Sequence, residues 1–210
     1  VYVKNHMLPK NKLTVVYVDE SIGNALEKIN KGDFLSLPVF EGKEFRGILM
    51  KEAIFRYYFE LDYIGKDDFL SEVKVSDLYT EVYKSILETE LIENASYLLK
   101  EVRTPFLPVF NGIGEFTGIL THVAIFDAFS EIFGLGKGTR ILVNLFDIPG
   151  QLAKLTEIIR KEDVNIANIA VMDAKVLDVY KVVIRVDSGD VDALIDKINK
   201  AGFKIASVER

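Results

Sequence analysis

The chain has 210 residues, 49% hydrophobic and 28% charged, enough to build one large core or two modest ones and too apolar for a disordered chain. It has no cysteine, which excludes disulfides, thiolate nucleophiles and Cys-ligated metal centres and suits a reducing cytoplasm. Its 26 basic and 32 acidic residues leave a net charge of −6, a poor balance for gripping nucleic acid or an anionic membrane, and no apolar run approaches the roughly 18 residues of a membrane span.

The opening VYVKNHMLPKNK lacks the apolar stretch of a signal peptide, and Val1 in place of Met is compatible with a trimmed start. Residues 15–18 then read as a short strand. Ile22, Ala25, Leu26 and Ile29 form one apolar stripe at helical spacing, closed by Gly32 as a C′ residue. Two strands follow at 37–40 and 45–50, joined by Glu-Gly-Lys, and a second helix starts near Lys51. The same order then returns. IGNA at 22 becomes IENA at 92, and Leu37-Pro38-Val39-Phe40 becomes Leu107-Pro108-Val109-Phe110, both at an offset of 70. EFRGIL at 44 becomes EFTGIL at 115, an offset of 71, so the extra residue falls in the hairpin loop, where insertions cost little. A weaker echo sets Val3-Lys4-Asn5 against Val75-Ser76-Asp77. The second copy carries Ile92, Ala95, Leu99 and Val102 on its helix, and each copy is β-α-β-β-α. A unit this small buries little core alone, so the two should pack into one body.

Residues 139–210 follow a different pattern. Ile141, Val143 and Leu145 alternate as a strand, and Leu152, Leu155 and Ile159 form a helical stripe. Ile169 and Val171 mark a second strand, and Tyr180, Val182, Ile184 and Val186 a third. Val191, Leu194, Ile195 and Ile198 lie on a second helix, closed by Gly202 before a last strand at 203–208. This β-α-β-β-α-β order is the ferredoxin-like arrangement. The tail carries 11 basic and 11 acidic residues, so the first 138 hold the whole negative charge. The expected fold class is α/β (α+β). The expected divisions are a first repeat at 1–65, a second at 66–133, a glycine-rich linker at 134–138 and the tail at 139–210.

The repeated unit, with its Leu-Pro-Val strand and a Gly-Ile-Leu strand entering a helix, resembles the CBS domain, and two copies resemble a tandem CBS pair, or Bateman module. Asp147-Ile148-Pro149-Gly150-Gln151-Leu152 followed by Val164-Asn165-Ile166 resembles the ACT domain. The order CBS–CBS–ACT is similar to that of bacterial acetoin-utilization (AcuB-like) proteins. The CBS resemblance implies clefts for an adenine nucleotide such as AMP, ATP or S-adenosylmethionine. In the second unit they would be lined by Ser85, Leu107, Pro108, Gly118, Thr121, His122 and Ala124, and in the first by Val15, Pro38 and Lys51. The family motif Gly-h-h-Thr-x-x-Asp uses its Thr on phosphate and its Asp on ribose. Here the first unit has Met50 and Ala53 at those positions, and the second keeps Thr121 but has Ala124. Hydrogen bonds to charged groups are worth roughly 1.5–3 kcal/mol, so each missing clamp should cost a nucleotide about one to two decades of affinity. The bland alternative is a pair of empty clefts that serve only to dimerise the protein.

The ACT resemblance implies an amino acid at an interface between two such domains, with Asp147, Gly150, Gln151, Leu152, Asn165 and Ile166 around it. Backbone N–H groups at Gly150 and Gln151 suit a carboxylate, Asp147 an ammonium, and Asn165 matches the gripping side chain of serine-sensing members. The alternative is structural: Asp147 caps the helix, with Pro149 near its start, and Asn165 makes a turn.

Other signals carry less. The stretch 134–139 resembles a phosphate loop only faintly, because Gly138 separates Lys137 from Thr139 and the loop runs from helix to strand. His6 and His122 lack a metal-type partner at i+4, no nucleophile elbow is present, and the aromatic cluster at Tyr57, Tyr58, Phe59 and Tyr63 reads as packing or interface. The expected function is therefore a cytoplasmic regulatory ligand sensor without catalysis and with no required cofactor. It would pair as a homodimer through CBS helices and ACT edge strands and signal to a regulated protein, without nucleic acid or membrane as partner. The competing reading is a structural or dimerisation module with degenerate ligand sites.

Overall fold

The computed structural model describes residues 1–61, 65–176 and 178–210, with only the backbone of Val176 included; Tyr63 lies outside the described residues. The chain divides into two compact units, Val1–Ala128 and Phe129–Arg210.

The first unit opens with a 3-10 turn (Val3–Asn5) and a two-residue strand β1 (Leu8–Pro9), neither of which carries enough apolar periodicity to announce itself. Then come β2 (Val16–Tyr17), α1 (Ile22–Lys31), β3 (Ser36–Glu41), β4 (Glu44–Met50) and α2 (Lys51–Glu60). The Ser21 hydroxyl caps α1 by accepting from the Asn24 N–H at 3.3 Å, and Ile22, Ala25 and Ile29 are buried along its stripe. Gly32 closes α1 at φ −98, so the left-handed residue is Asp33 at φ 51. The Phe34 ring folds over Gly32, where a Cβ would lie 2.0 Å from it and displace the ring.

A helix absent from the expected pattern, α3 (Lys66–Glu72), precedes the second copy, which holds a matching 3-10 turn (Val75–Asp77), β5 (Ile86–Leu87), α4 (Ile92–Glu101), β6 (Phe106–Phe110), β7 (Phe116–Thr121) and α5 (His122–Ile132). Val102, expected on the α4 stripe, is the residue that ends the helix. Tyr57 and Tyr58 pack towards Phe69, with ring centroids 6.4 and 4.9 Å away, whereas Phe59 stands 79% exposed.

The two copies exchange their leading segments. β1 pairs antiparallel with β7 of the other copy, Leu8 opposite Ile119 and Pro9 opposite Gly118, and Thr80 bridges Ile48 in the first copy's sheet. Upstream, the Val3 N–H donates to the Glu90 carbonyl at 2.9 Å and Lys4 to Glu88 at 3.0 Å; in mirror fashion Val75 donates to Glu20 at 2.9 Å and Ser76 to Val18 at 3.0 Å. A Cβ on Gly47 would lie 2.2 Å from the Thr80 carbonyl oxygen, and one on Gly118 2.3 Å from that of Leu8. The glycine of each Gly-Ile-Leu strand thus makes room for a crossing backbone. Equivalent aromatics meet between the copies: Phe45 stacks on Phe116 at 4.5 Å, Phe40 meets Phe116 edge-on at 5.4 Å, and Phe110 meets Phe45 edge-on at 5.9 Å.

The second unit begins at Phe129, so the end of α5 and the glycine-rich stretch 134–138 belong to it. It contains β8 (Thr139–Phe146), α6 (Gln151–Lys161), β9 (Ile166–Val176), β10 (Val179–Val186), α7 (Asp192–Lys200) and β11 (Lys204–Glu209). The strands are antiparallel in the order β11-β8-β10-β9, the ferredoxin-like sheet. Ile141, Val143, Leu145, Val182 and Ile184 meet Leu155, Ile159, Leu194 and Ile198 of the helices in one buried core. The 134–138 stretch is held on this sheet: the Asn168 amide donates to the Ile132 carbonyl, Arg185 donates to the Lys137 carbonyl at 3.4 Å, and a Cβ on Gly138 would meet the Val186 carbonyl oxygen at 2.0 Å.

Candidate functional site

At the start of α5, β7 ends on Thr121, whose hydroxyl oxygen accepts the Ala124 N–H at 3.1 Å and so caps the helix. Its own proton remains to donate, and it does so beside the helix N-terminus, where an anion is favoured. His122 is anchored next to it by Nδ1–H donating to the Pro105 carbonyl at 3.3 Å. In the first copy Met50 gives α2 no side-chain cap. The backbone N–H of Lys51 is spent on the Leu35 carbonyl at 2.9 Å, leaving its partly exposed side chain as the one polar group carried over from the expected first site.

Several expected cleft residues are held within the packed fold. Leu107 is fully buried, and Pro38 and Pro108 are buried in the middle strands β3 and β6. Gly118 is covered by the backbone of Leu8 and Pro9. Val15 packs partly against the Phe40–Ile48–Phe106–Phe116 cluster and also lines a cavity of about 470 Å³ with Lys10, Tyr17 and Lys43. Ser85 lines a separate cavity of about 460 Å³ on the α4 side of β5. Thr121, His122 and Ala124 therefore come together, and Ser85 and Val15 face other spaces. The contribution sequence reasoning missed is β1 beside Gly118, because nothing in a repeat pattern says which copy a leading segment will join.

In the second unit, the loop from β8 to α6 carries Asp147 exposed, its N–H donating to the Asp178 carbonyl at 2.9 Å. The helix cap is Gly150 at φ 88 and not Asp147. The Gln151 N–H, expected to meet a carboxylate, donates to the Ile148 carbonyl at 3.3 Å, and Leu152 is 40% exposed. Gln151 lines a cavity of about 230 Å³ with Asn144, Phe146, Phe203 and Lys204. Asn165 sits at the other end of the sheet, its carbonyl accepting from Asp187 at 3.0 Å, with partly buried Ile166 next to it. From Asp178 to Asp187 the sheet runs about 30 Å at ~3.3 Å per residue. One copy of this unit therefore does not unite Asp147 and Asn165 in a single pocket.

Among the described residues no group of three or more His, Cys, Asp or Glu side chains is placed to hold a metal ion, and no helix is long and apolar enough to cross a membrane.

Comparison with known proteins fits this geometry. A family model for the CBS domain matches residues 3–60, and one for the ACT domain matches residues 139–203. The chain carries a CBS domain and an ACT domain. Among solved structures, a CBS domain-containing protein of unknown function from Bacillus anthracis is 23% identical, with a TM-score of 0.56, covering 62% of this chain and 94% of that one. The CBS-pair protein CBSX2 from Arabidopsis thaliana is 25% identical at a TM-score of 0.53, covering 62% and 95%. A structure of CBSX2 in complex with AMP is 24% identical at a TM-score of 0.54, covering 62% and 97%. No curated protein matches the chain. The duplicated sheets with exchanged leaders thus have the fold of a CBS pair, and the tail has the sheet order of the ACT domain.

Proposed function

We propose that this protein is a non-catalytic regulatory ligand sensor. An adenine nucleotide of the AMP, ATP or S-adenosylmethionine type binds the CBS cleft at the start of α5, an amino acid binds the ACT unit, or both. Occupancy biases the arrangement of subunits, which a regulated protein reads through differential affinity for two states. The observation that carries the reading is Thr121 at the N-terminus of α5, within a fold whose relative CBSX2 is known bound to AMP. The opposite ends occupied by Asp147 and Asn165 fit an amino-acid site completed by a second copy. We further propose a cytoplasmic homodimer, paired through CBS helices and ACT edge strands, of the acetoin-utilization-like type. Light scattering at micromolar concentration should return twice the chain mass, and a monomer would refute the pairing.

A second reading is favoured by Ala53 and Ala124, which leave both ribose positions without a carboxylate: a structural module with degenerate sites. Calorimetric titration of AMP separates the two. Ala124→Asp restores the ribose acceptor, and AMP affinity should rise by about 10- to 100-fold, the worth of a charge-assisted hydrogen bond. If neither the native chain nor the variant takes AMP, ATP or S-adenosylmethionine, and no amino acid shifts the melting curve, the structural reading stands.

A further inference from the structure

The two repeats differ at one place where the first is chemically complete. There, Lys28 on α1 reaches back to β2, its ammonium donating to the Val15 carbonyl at 3.1 Å and to both oxygens of Glu20 at 2.8 Å. The pair is half-sunk, with side-chain exposures of 38% and 17%, and the lysine stem lies over the strand. The offset of 70 puts Ser85 where Val15 is, Glu90 where Glu20 is, and Leu98 where Lys28 is.

The backbones correspond as well. β2 pairs with β3 through Val16 opposite Val39, and β5 with β6 through Ile86 opposite Val109. The turn before each helix closes alike, Glu20 N–H to the Tyr17 carbonyl at 3.1 Å and Glu90 N–H to Leu87 at 3.0 Å. Leu98 brings no ammonium, and an open groove of about 460 Å³ lies there, lined by Ser85, Glu90, Asn94, Tyr97 and Leu98. Lys84, the neighbouring cation, is engaged by Glu101 at 3.0 Å, as is the Tyr97 hydroxyl. The Asn94 amide donates to Glu90 Oε2 at 3.0 Å and orients the carboxylate.

We propose that this groove binds the primary ammonium of a small aliphatic amine, seated on Glu90 and the Ser85 carbonyl as Lys28 is seated on Glu20 and the Val15 carbonyl. Leu98, Ile86 and Leu87 take the apolar stem, and Tyr97 lines the same groove. The negative charge carried by the first 138 residues favours a cationic ligand. This site is independent of the nucleotide and amino-acid readings above.

The test is an NMR titration of the full chain with cadaverine, using 1-pentanol as the uncharged counterpart. Cadaverine should shift the amides of Glu90, Asn94 and Tyr97 saturably in the millimolar range, and pentanol should not. Glu90→Gln should weaken binding about tenfold or more, the loss expected for a charge-assisted contact. Leu98→Lys supplies the tethered ammonium of the first repeat, keeps the fold and should abolish binding. No saturable shift at tens of millimolar amine, equal shifts with pentanol, or undiminished binding to the Leu98→Lys variant would each overturn the site.

Discussion

Gly118→Ala should destabilise the CBS unit by about 3 kcal/mol, at the upper end of what overpacking costs. The added Cβ would sit 2.3 Å from the Leu8 carbonyl oxygen and 3.1 Å from the Pro9 Cα, and both are backbone of a paired strand. No flexible side-chain tip can swing away, so β1 must leave β7 or β7 must bend. A loss of that size lowers the melting temperature of a unit of this length by roughly 10 °C. Gly47→Ala, whose Cβ would meet the Thr80 carbonyl oxygen at 2.2 Å, should behave alike. Gly112→Ala, with nothing within 4 Å, should change stability by less than about 0.5 kcal/mol. Calorimetric melting of the three variants decides the matter: equal melting points would mean that the crossing backbones are not what these glycines accommodate.

Removing residues 1–9 should cost more still. Val3 is fully buried, worth roughly 1.5–3 kcal/mol. The hydrogen bonds from Val3 to Glu90, from Lys4 to Glu88 and from Ile92 to the Val1 carbonyl go with it, at about 1 kcal/mol each. So does β1, which covers the edge of the second copy's sheet. A loss of about 5 kcal/mol approaches the whole stability of an ordinary domain. The damage should appear in the second copy, distant in sequence from the deletion. Hydrogen exchange should report β6 and β7 opened, with β8 to β11 protected as in the intact chain. A truncated protein melting within a few degrees of the intact one would show that the exchange contributes little.

Much of this fold is legible in the amino-acid sequence. The helical stripe of Ile22, Ala25 and Ile29 is buried as read, because helical periodicity reports which face meets a core. The alternation of Ile141, Val143 and Leu145 against Val182 and Ile184 foretold the tail's sheet for the same reason. The echo of Val3-Lys4-Asn5 in Val75-Ser76-Asp77 falls on two matching 3-10 turns, a conformation that the repeat itself did not specify. The candidate site was less legible. Thr121 and His122 meet at the start of α5, while Leu107, Pro38 and Pro108 are buried in the middle strands and Gly118 lies under a crossing backbone, because a strand motif common to a family carries its core as well as its cleft. Asp147 and Asn165 belong to one motif in sequence and to opposite ends of one sheet in space.

From the amino-acid order alone follow the duplication, the distinct tail and the substitution of Leu98 for Lys28, because these are matters of residue identity at equivalent positions, whereas Ala53 and Ala124 stand out only against the motif of the family that the repeats resemble. Only the tertiary structure decided that each repeat's leading segment crosses to the other, that Phe45 stacks on Phe116, and that the 134–138 stretch lies on the second unit's sheet. The physical reason is that local periodicity selects the face a segment buries, whereas the identity of the partner depends on long-range backbone pairing and packing, to which both repeats offer nearly the same surface.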